Sequence, residues 1–148
     1  LANCSLEYHE HGIQVIGEER TAFEFDATDC PDLFPALVTF ASLTKGVSRI
    51  KGIGRLAAKE SNRALSLQTE FGKLGLEIRL EDDYMFVHGK STINGGEVDS
   101  HNDHRIAMCL AIAGLFAQTP IQIQGAGAVE KSYPAFWNDL ESLKKNSI

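Results

Sequence analysis

The chain repeats itself at an interval of 73 residues, and no other property of the sequence restricts its fold as much. Glu24-Phe25-Asp26 falls on Glu97-Val98-Asp99, Asp32 on Arg105, and the apolar run 33–43 on 106–116. Ile50-Lys51-Gly52 then meets Ile123-Gln124-Gly125, and after a one-residue gap Lys59 meets Lys131. Identities are few, but the order of strand, helix, strand, helix agrees throughout. A period of this kind marks a supersecondary unit that buries its apolar face against its neighbour.

The elements within each unit follow from periodicity and punctuation. Residues 23–28 alternate as a strand. Asp32 is placed to cap a helix over 33–43, with Pro35 tolerated in its first turn. Gly46 ends that helix and 47–53 alternates again. The span 59–74 reads as a helix with Leu65, Leu67, Phe71 and Leu74 mostly on one side. Residues 76–80 and 84–88 pair around Glu81-Asp82-Asp83 as a hairpin. In the second copy, 96–100 is a strand, and Asp103 or Asn102 caps a helix running to 116. Almost no polar residue interrupts that helix, so it should be buried all round. Residues 121–124 form a strand, and Ser132 caps a last helix with Pro134 near its start. At the other end, 6–11 and 12–17 read as the closing hairpin of an earlier copy.

The expected fold is therefore α/β (α+β), a β-α-β-α-β-β unit present twice after the tail of a third. Residues 1–20 would end one unit, 21–92 form the second and 93–148 the third. The sequence opens on Leu1 in the middle of a strand-like pattern, so a piece of a longer protein is expected.

Composition removes several function classes. A net charge of −6 leaves no basic stripe to displace counterions, against a nucleic-acid partner. The longest apolar run, 106–116, is too short to span a membrane, and the opening residues carry no signal-peptide pattern. Cys4, Cys30 and Cys109 are odd in number and lack C-x-x-C spacing. Cys109 lies in an apolar helix and reads as a small buried hydrophobe. Reduced thiols suit a cytoplasmic protein. Glu7, His9 and His11 alternate, but as the polar side of a surface strand rather than as a metal site. Gly125-Ala126-Gly127 lacks the third glycine and the spacing of a dinucleotide fingerprint.

The repeat gathers its charged residues at the N-terminal ends of helices. Lys59, Arg63, Arg105 and Lys131 all stand where a cation opposes the macrodipole. Taken together they suggest a bound anion, held also by free backbone N–H groups. Taken singly, each can instead pair with a neighbouring acid such as Glu60, Asp103 or Glu130. Asp32 and Glu60 stand beside these cations. Each has the chemistry of a general acid or base in a cationic cleft, or of a helix cap and a macrodipole partner respectively.

At the same positions the sequence resembles the EPSP synthase family of enolpyruvyl transferases. Asn102-Asp103-His104-Arg105-Ile106-Ala107-Met108 resembles its N-D-H-R-x-A-M segment, and Lys59-Glu60-Ser61-Asn62-Arg63 its K-E-[ST]-[DN]-R segment. Lys131-Ser132-Tyr133-Pro134 through Phe136 is similar to K-[TS]-[FY]-P-x-[FY], and Asp29-Cys30-Pro31-Asp32 to the D-x-P-D turn. The four occur in family order across nearly the whole chain.

The resemblance implies a two-lobed enzyme, each lobe built from three such units, of which this chain supplies part of the C-terminal lobe while the N-terminal lobe is absent. It implies transfer of the enolpyruvyl group of phosphoenolpyruvate to the 5-hydroxyl of shikimate 3-phosphate, with no metal and no organic cofactor. Carried over by residue, Asp32 would bind the shikimate hydroxyls and take the attacking proton. Glu60 would exchange a proton with the methylene carbon. Lys59 would contact shikimate 3-phosphate, and Arg63, Arg105 and Lys131 would clamp phosphoenolpyruvate. Asn62 stands where many members carry Asp, and Arg55 where some carry an asparagine that touches substrate. UDP-N-acetylglucosamine enolpyruvyl transferases share the fold but lack the N-D-H-R-x-A-M and K-[TS]-[FY]-P segments. An anion-binding module that kept the fold without the reaction is the competing reading from another class.

Overall fold

Parallel β-α-β steps alternate with antiparallel returns along the computed structural model, which describes residues 4–17 and 19–145. Strands β1 (Cys4–His9) and β2 (Gly12–Gly17) form an antiparallel hairpin, Cys4 opposite Gly17 and His9 opposite Gly12. β3 (Glu24–Asp26) leads through a 3-10 turn, Pro31–Leu33, into α1 (Phe34–Ser42). β4 (Gly46–Lys51) returns parallel to β3. A second 3-10 turn, Ile53–Arg55, precedes α2 (Arg63–Lys73), and β5 (Glu77–Glu81) and β6 (Tyr84–Gly89) close a sheet of order β3-β4-β6-β5. β7 (Gly96–Asp99) then leads into α3 (His104–Gly114), and β8 (Ile121–Gln124) returns parallel to β7. A 3-10 stretch, Ala126–Lys131, and α4 (Phe136–Lys145) follow.

The repeat is visible in register. Glu24 opposes Arg49 as Glu97 opposes Gln122, and Asp26 opposes Lys51 as Asp99 opposes Gln124. Each returning strand is followed by a glycine with positive φ, Gly52 at +108° and Gly125 at +66°. A Cβ on Gly52 would lie 2.8 Å from the backbone nitrogen of Thr28, so the turn closes only around glycine.

Helical spacing explains the core. Phe34, Val38 and Ala41 of α1, Leu67 and Phe71 of α2, and Ile106, Leu110 and Ala113 of α3 recur at i, i+3 or i+4 and are fully buried. Ile50, Met85 and Val87 meet them from the sheet. Each of the larger side chains contributes roughly 1.5–3 kcal/mol by leaving water. A smaller cluster, Ala107, Ala111, Val129, Phe136 and Leu140, fastens α4 to α3. Among the described residues no helix is long and apolar enough to cross a membrane.

Several expectations change. Asp32 caps nothing: Pro31 starts a 3-10 turn that takes Asp32 inside it, and the side chain makes no cap bond. α2 begins at Arg63 rather than at residue 59, because the Asn62 side chain accepts the Leu65 N–H at 3.3 Å and ends the non-helical loop there. Leu65 is exposed, off the apolar stripe. α3 is not buried all round; Arg105, Met108 and Ile112, one turn or so apart, face a groove and are half-buried. α4 starts at Phe136, beyond Ser132. The second copy shows no closing hairpin among the described residues, and β1–β2 pairs with no other strand there.

Candidate functional site

Arg63 is the first residue of α2, and its side chain is completely buried. Its Nε donates to Asp103 Oδ2 at 2.7 Å, its Nη1 to Asp32 Oδ1 at 2.6 Å, and its Nη2 to Glu60 Oε2 and, at 3.4 Å, to Asp103 Oδ1. Three segments therefore converge on one guanidinium: the 3-10 turn before α1, the loop before α2 and the cap of α3. Lys59 Nζ lies 3.3 Å from Asp32 Oδ1. Arg105 Nη2 donates to Asp32 Oδ2 at 3.2 Å and its Nη1 to the Asp32 carbonyl at 3.4 Å.

The local chain accounts for this convergence. Asp103 is the N-cap of α3, accepting the Arg105 N–H at 2.9 Å, and takes a further bond from Ser61 Oγ at 3.2 Å. It is fully buried, which a carboxylate sustains only when paired and hydrogen-bonded. Burial pushes the Asp103 carboxyl up, but the Arg63 guanidinium and the Arg105 amide outweigh it and hold the group below the ordinary carboxylate range. At Asp32 burial acts the same way and is outweighed by Arg63, Lys59 and Arg105. Burial lowers Arg63, and the bonds to Asp103 and Asp32 more than restore it, so it is permanently charged.

Of the residues singled out from sequence, Asp32, Lys59, Glu60, Arg63 and Arg105 meet in this one cluster. Lys131 stands beside it: its Nζ donates to the Asn102 carbonyl at 2.6 Å, one residue before Asp103. Arg63, expected to clamp a ligand, has every nitrogen engaged by carboxylates, so a ligand oxygen reaches it only by displacing Asp32 or Glu60. Lys59 and Arg105 are the partly open cations against Asp32, 28% and 37% exposed, and Asp32 at 47% and Glu60 at 41% are the open acids. Asp32 and Arg105 also border a groove of about 420 Å³ between α1 and α3, walled by Pro35, Phe40, Met108 and Ile112.

Sequence reading assigned no pairing of Asp103 with Arg63, no part to Ser61 and none to Glu70, which is buried on the same side of α2 as Arg63. The available signal was spacing: Arg63, Leu67, Glu70 and Phe71 share one helical face. Chemically the cluster offers an ionised carboxylate within reach of partly open cations at the starts of two helices. Such an arrangement holds anionic groups and orients hydroxyls against a fixed base.

Residues 2–140 match the family model described as EPSP synthase (3-phosphoshikimate 1-carboxyvinyltransferase). The chain is 43% identical over 139 residues to the 3-phosphoshikimate 1-carboxyvinyltransferase of Clostridium acetobutylicum, covering 94% of this chain and 30% of that protein. It is 42% identical over 120 residues to the enzyme of the same name from Methanopyrus kandleri, covering 81% of this chain and 28% of that protein. The solved structure of EPSP synthase from Acinetobacter baumannii superposes with a TM-score of 0.80 at 26% identity, covering 95% of this chain and 36% of that one. The chain thus spans about a third of the length of the relatives it matches. Its α/β architecture is the enolpyruvyl transferase fold. With the family model spanning nearly all of it and the same fold at high superposition, the chain belongs to the EPSP synthase (3-phosphoshikimate 1-carboxyvinyltransferase) family.

Proposed function

We propose that this chain forms one wall of the active site of a cytoplasmic EPSP synthase, the partner wall being the N-terminal lobe of the same enzyme. That enzyme transfers the enolpyruvyl group of phosphoenolpyruvate to the 5-hydroxyl of shikimate 3-phosphate. The hydroxyl oxygen bonds to C2 of phosphoenolpyruvate as its methylene carbon gains a proton. Loss of a proton from the resulting methyl group then expels inorganic phosphate and restores the double bond. The observation that carries the reading is the convergence of buried Arg63, Lys59 and Arg105 on the Asp32 carboxylate, with Glu60 on the same Arg63 guanidinium.

In this reading Asp32 receives the hydroxyl proton and Glu60 exchanges the proton at the methylene carbon. Lys59 holds shikimate 3-phosphate; Arg105 and Lys131 hold phosphoenolpyruvate, and Arg63 joins them when substrate displaces its carboxylates. The ion pairs suit this sequence. Lys59, Arg63 and Arg105 keep Asp32 ionised before substrate arrives. Phosphate and carboxylate oxygens then compete for those cations, which frees the Asp32 carboxylate and raises its basicity at the moment a proton must be taken. Holding two substrates in a closed cleft adds several kcal/mol through orientation alone, on the order of 7 or more.

The test is turnover by the whole enzyme carrying Asp32→Ala or Glu60→Ala. Each is expected to lower kcat by about a hundredfold or more with the fold intact by circular dichroism. Wild-type kcat in either variant removes that residue from the chemistry, and wild-type kcat in both overturns the reading.

A further inference from the structure

Glu70 is the buried titratable group that the proposed chemistry leaves without a task. It is 1% exposed in the middle of α2, on the Arg63 face. Its Oε2 accepts the Asp99 N–H at 2.8 Å and Lys73 Nζ at 2.8 Å, and its Oε1 lies 2.8 Å from His101 Nε2. Burial pushes this carboxyl up, and the bonds from Lys73, the Asp99 amide and His101 outweigh it, holding the group below the ordinary range. It is therefore a buried carboxylate at neutral pH with two of its three partners, Asp99 and His101, on one turn.

That turn has an unusual backbone. His101 and Asn102 are consecutive non-glycine residues in the left-handed region, at φ 51° and 57°. Such conformations persist only where the surroundings over-determine them. Here Asp99 Oδ1 accepts the His101 N–H at 2.6 Å, Ser100 Oγ accepts the Asn102 N–H at 3.2 Å, and Glu70 grips both ends of the 99–101 segment. Reversal at 101–102 turns the Asn102 carbonyl toward Lys131 and delivers Asp103 as the cap of α3 and the partner of Arg63.

We propose that Glu70 is a positioning residue: it clamps the left-handed turn between β7 and α3 so that Lys131 stands where phosphoenolpyruvate needs it and Asp103 meets Arg63. The inference rests on the functional reading above for the identity of the ligand, and on geometry alone for the clamp. Lys73, the remaining partner of Glu70, belongs to α2 rather than to the turn and serves as the control.

Two measurements on the whole enzyme decide it. In Glu70→Ala, amide hydrogen exchange at Asp99, Ser100 and Asp103 is expected to quicken about tenfold or more, with α2 and α3 amides still protected. KM for phosphoenolpyruvate is expected to rise about tenfold, with kcat changed far less. The rise should be partly rescued in Glu70→Gln, which keeps an acceptor for Asp99, and absent in Lys73→Met. In a Lys131→Met background, Glu70→Ala should add little, because both act through one contact. Unchanged exchange at 99–103 overturns the clamp whatever the kinetics. Quickened exchange with wild-type KM, or a full additive effect beside Lys131→Met, overturns the positioning role. An enzyme without phosphoenolpyruvate-dependent turnover before any substitution overturns the functional reading instead, and the exchange result still decides the clamp.

Discussion

In the first copy of the repeat, the turn between β3 and α1 is held from within. Asp26 Oδ1 accepts the Thr28 N–H at 3.0 Å and its hydroxyl at 2.6 Å, and Pro31 fixes the backbone that follows. In the second copy the matching turn between β7 and α3 has the same inner bond, from the His101 N–H to Asp99 Oδ1, and is held from outside as well, by buried Glu70 on α2. Both copies then send a lysine back to their own turn, Lys59 to the Asp32 carboxylate and Lys131 to the Asn102 carbonyl. At the helix starts the repeat changes sign: Asp32 in one copy, Arg105 in the other, 3.2 Å apart. One backbone frame, used twice with opposite charges at equivalent positions, puts an ionic contact at the helix-start end of an otherwise apolar seam between the copies. The difference teaches that duplication supplies the scaffold, and divergence at a few helix starts supplies the site.

The sharpest way to break that seam is to remove its shared cation. Arg63→Met leaves Asp103 buried without its partner and is expected to destabilise the protein by about 3–5 kcal/mol in urea unfolding. Lys131→Met, at the exposed position, should stay within about 0.5 kcal/mol. Equal losses from the two would show that burial does not distinguish them. The same pair separates in acid. Asp103 and Asp32 have folded-state values below their unfolded ones, so the stability they contribute is present above about pH 4 and is lost as pH falls further. In Arg63→Met, Asp103 loses the guanidinium, burial dominates and its value rises. Protonation then favours the folded state, and the acid fall should flatten or reverse.

Glycine substitution tests the repeat at matched positions with a smaller effect. An added Cβ on Gly52 meets the Thr28 backbone at 2.8 Å, whereas on Gly125 it meets a side-chain atom, the Ser100 hydroxyl, and φ there is +66°. Gly52→Ala should cost about 3 kcal/mol and Gly125→Ala about 1, by thermal or urea unfolding. A reversed order would mean that the second turn is the more rigid of the two. The smallest expected effect concerns the internally held turn. Asp26 is lowered to about 2, first by the Thr28 hydroxyl, then by the Thr28 amide and Lys51. Thr28→Val should move the Asp26 titration upward in carboxyl NMR without disturbing that of Glu70. An unmoved Asp26 would transfer the main role to Lys51.

The periodic parts of the fold were legible because hydropathy reports burial: the strands, the four helices and the 73-residue match all follow from it. Helix starts were less so, since two local rules competed. Pro31 commits Asp32 to a 3-10 turn that overrides capping, and Asn62 caps where an apolar stripe alone would extend α2 backwards. The site residues were legible as a set of charges at helix ends, but not as contacts. Arg63 looks like an open cation in sequence, and only the packing of three elements encloses it completely, together with Asp103. Glu70 was hidden for the converse reason: a glutamate in a helix reads as solvent-facing, and its position between Leu67 and Phe71 on the buried side is the clue that periodicity offered.

The guanidinium of Arg63 joins acids from three separate segments, so its four members form a locked set from the standpoint of mutation. Loss of any acid leaves a buried guanidinium N–H without its acceptor, and loss of the arginine strands a buried carboxylate, so single replacements descend before any pair can climb. A lineage can therefore alter the substrate-facing surface at Lys59 or Lys131 stepwise. The centre beneath changes only through simultaneous exchange of the arginine and its acids.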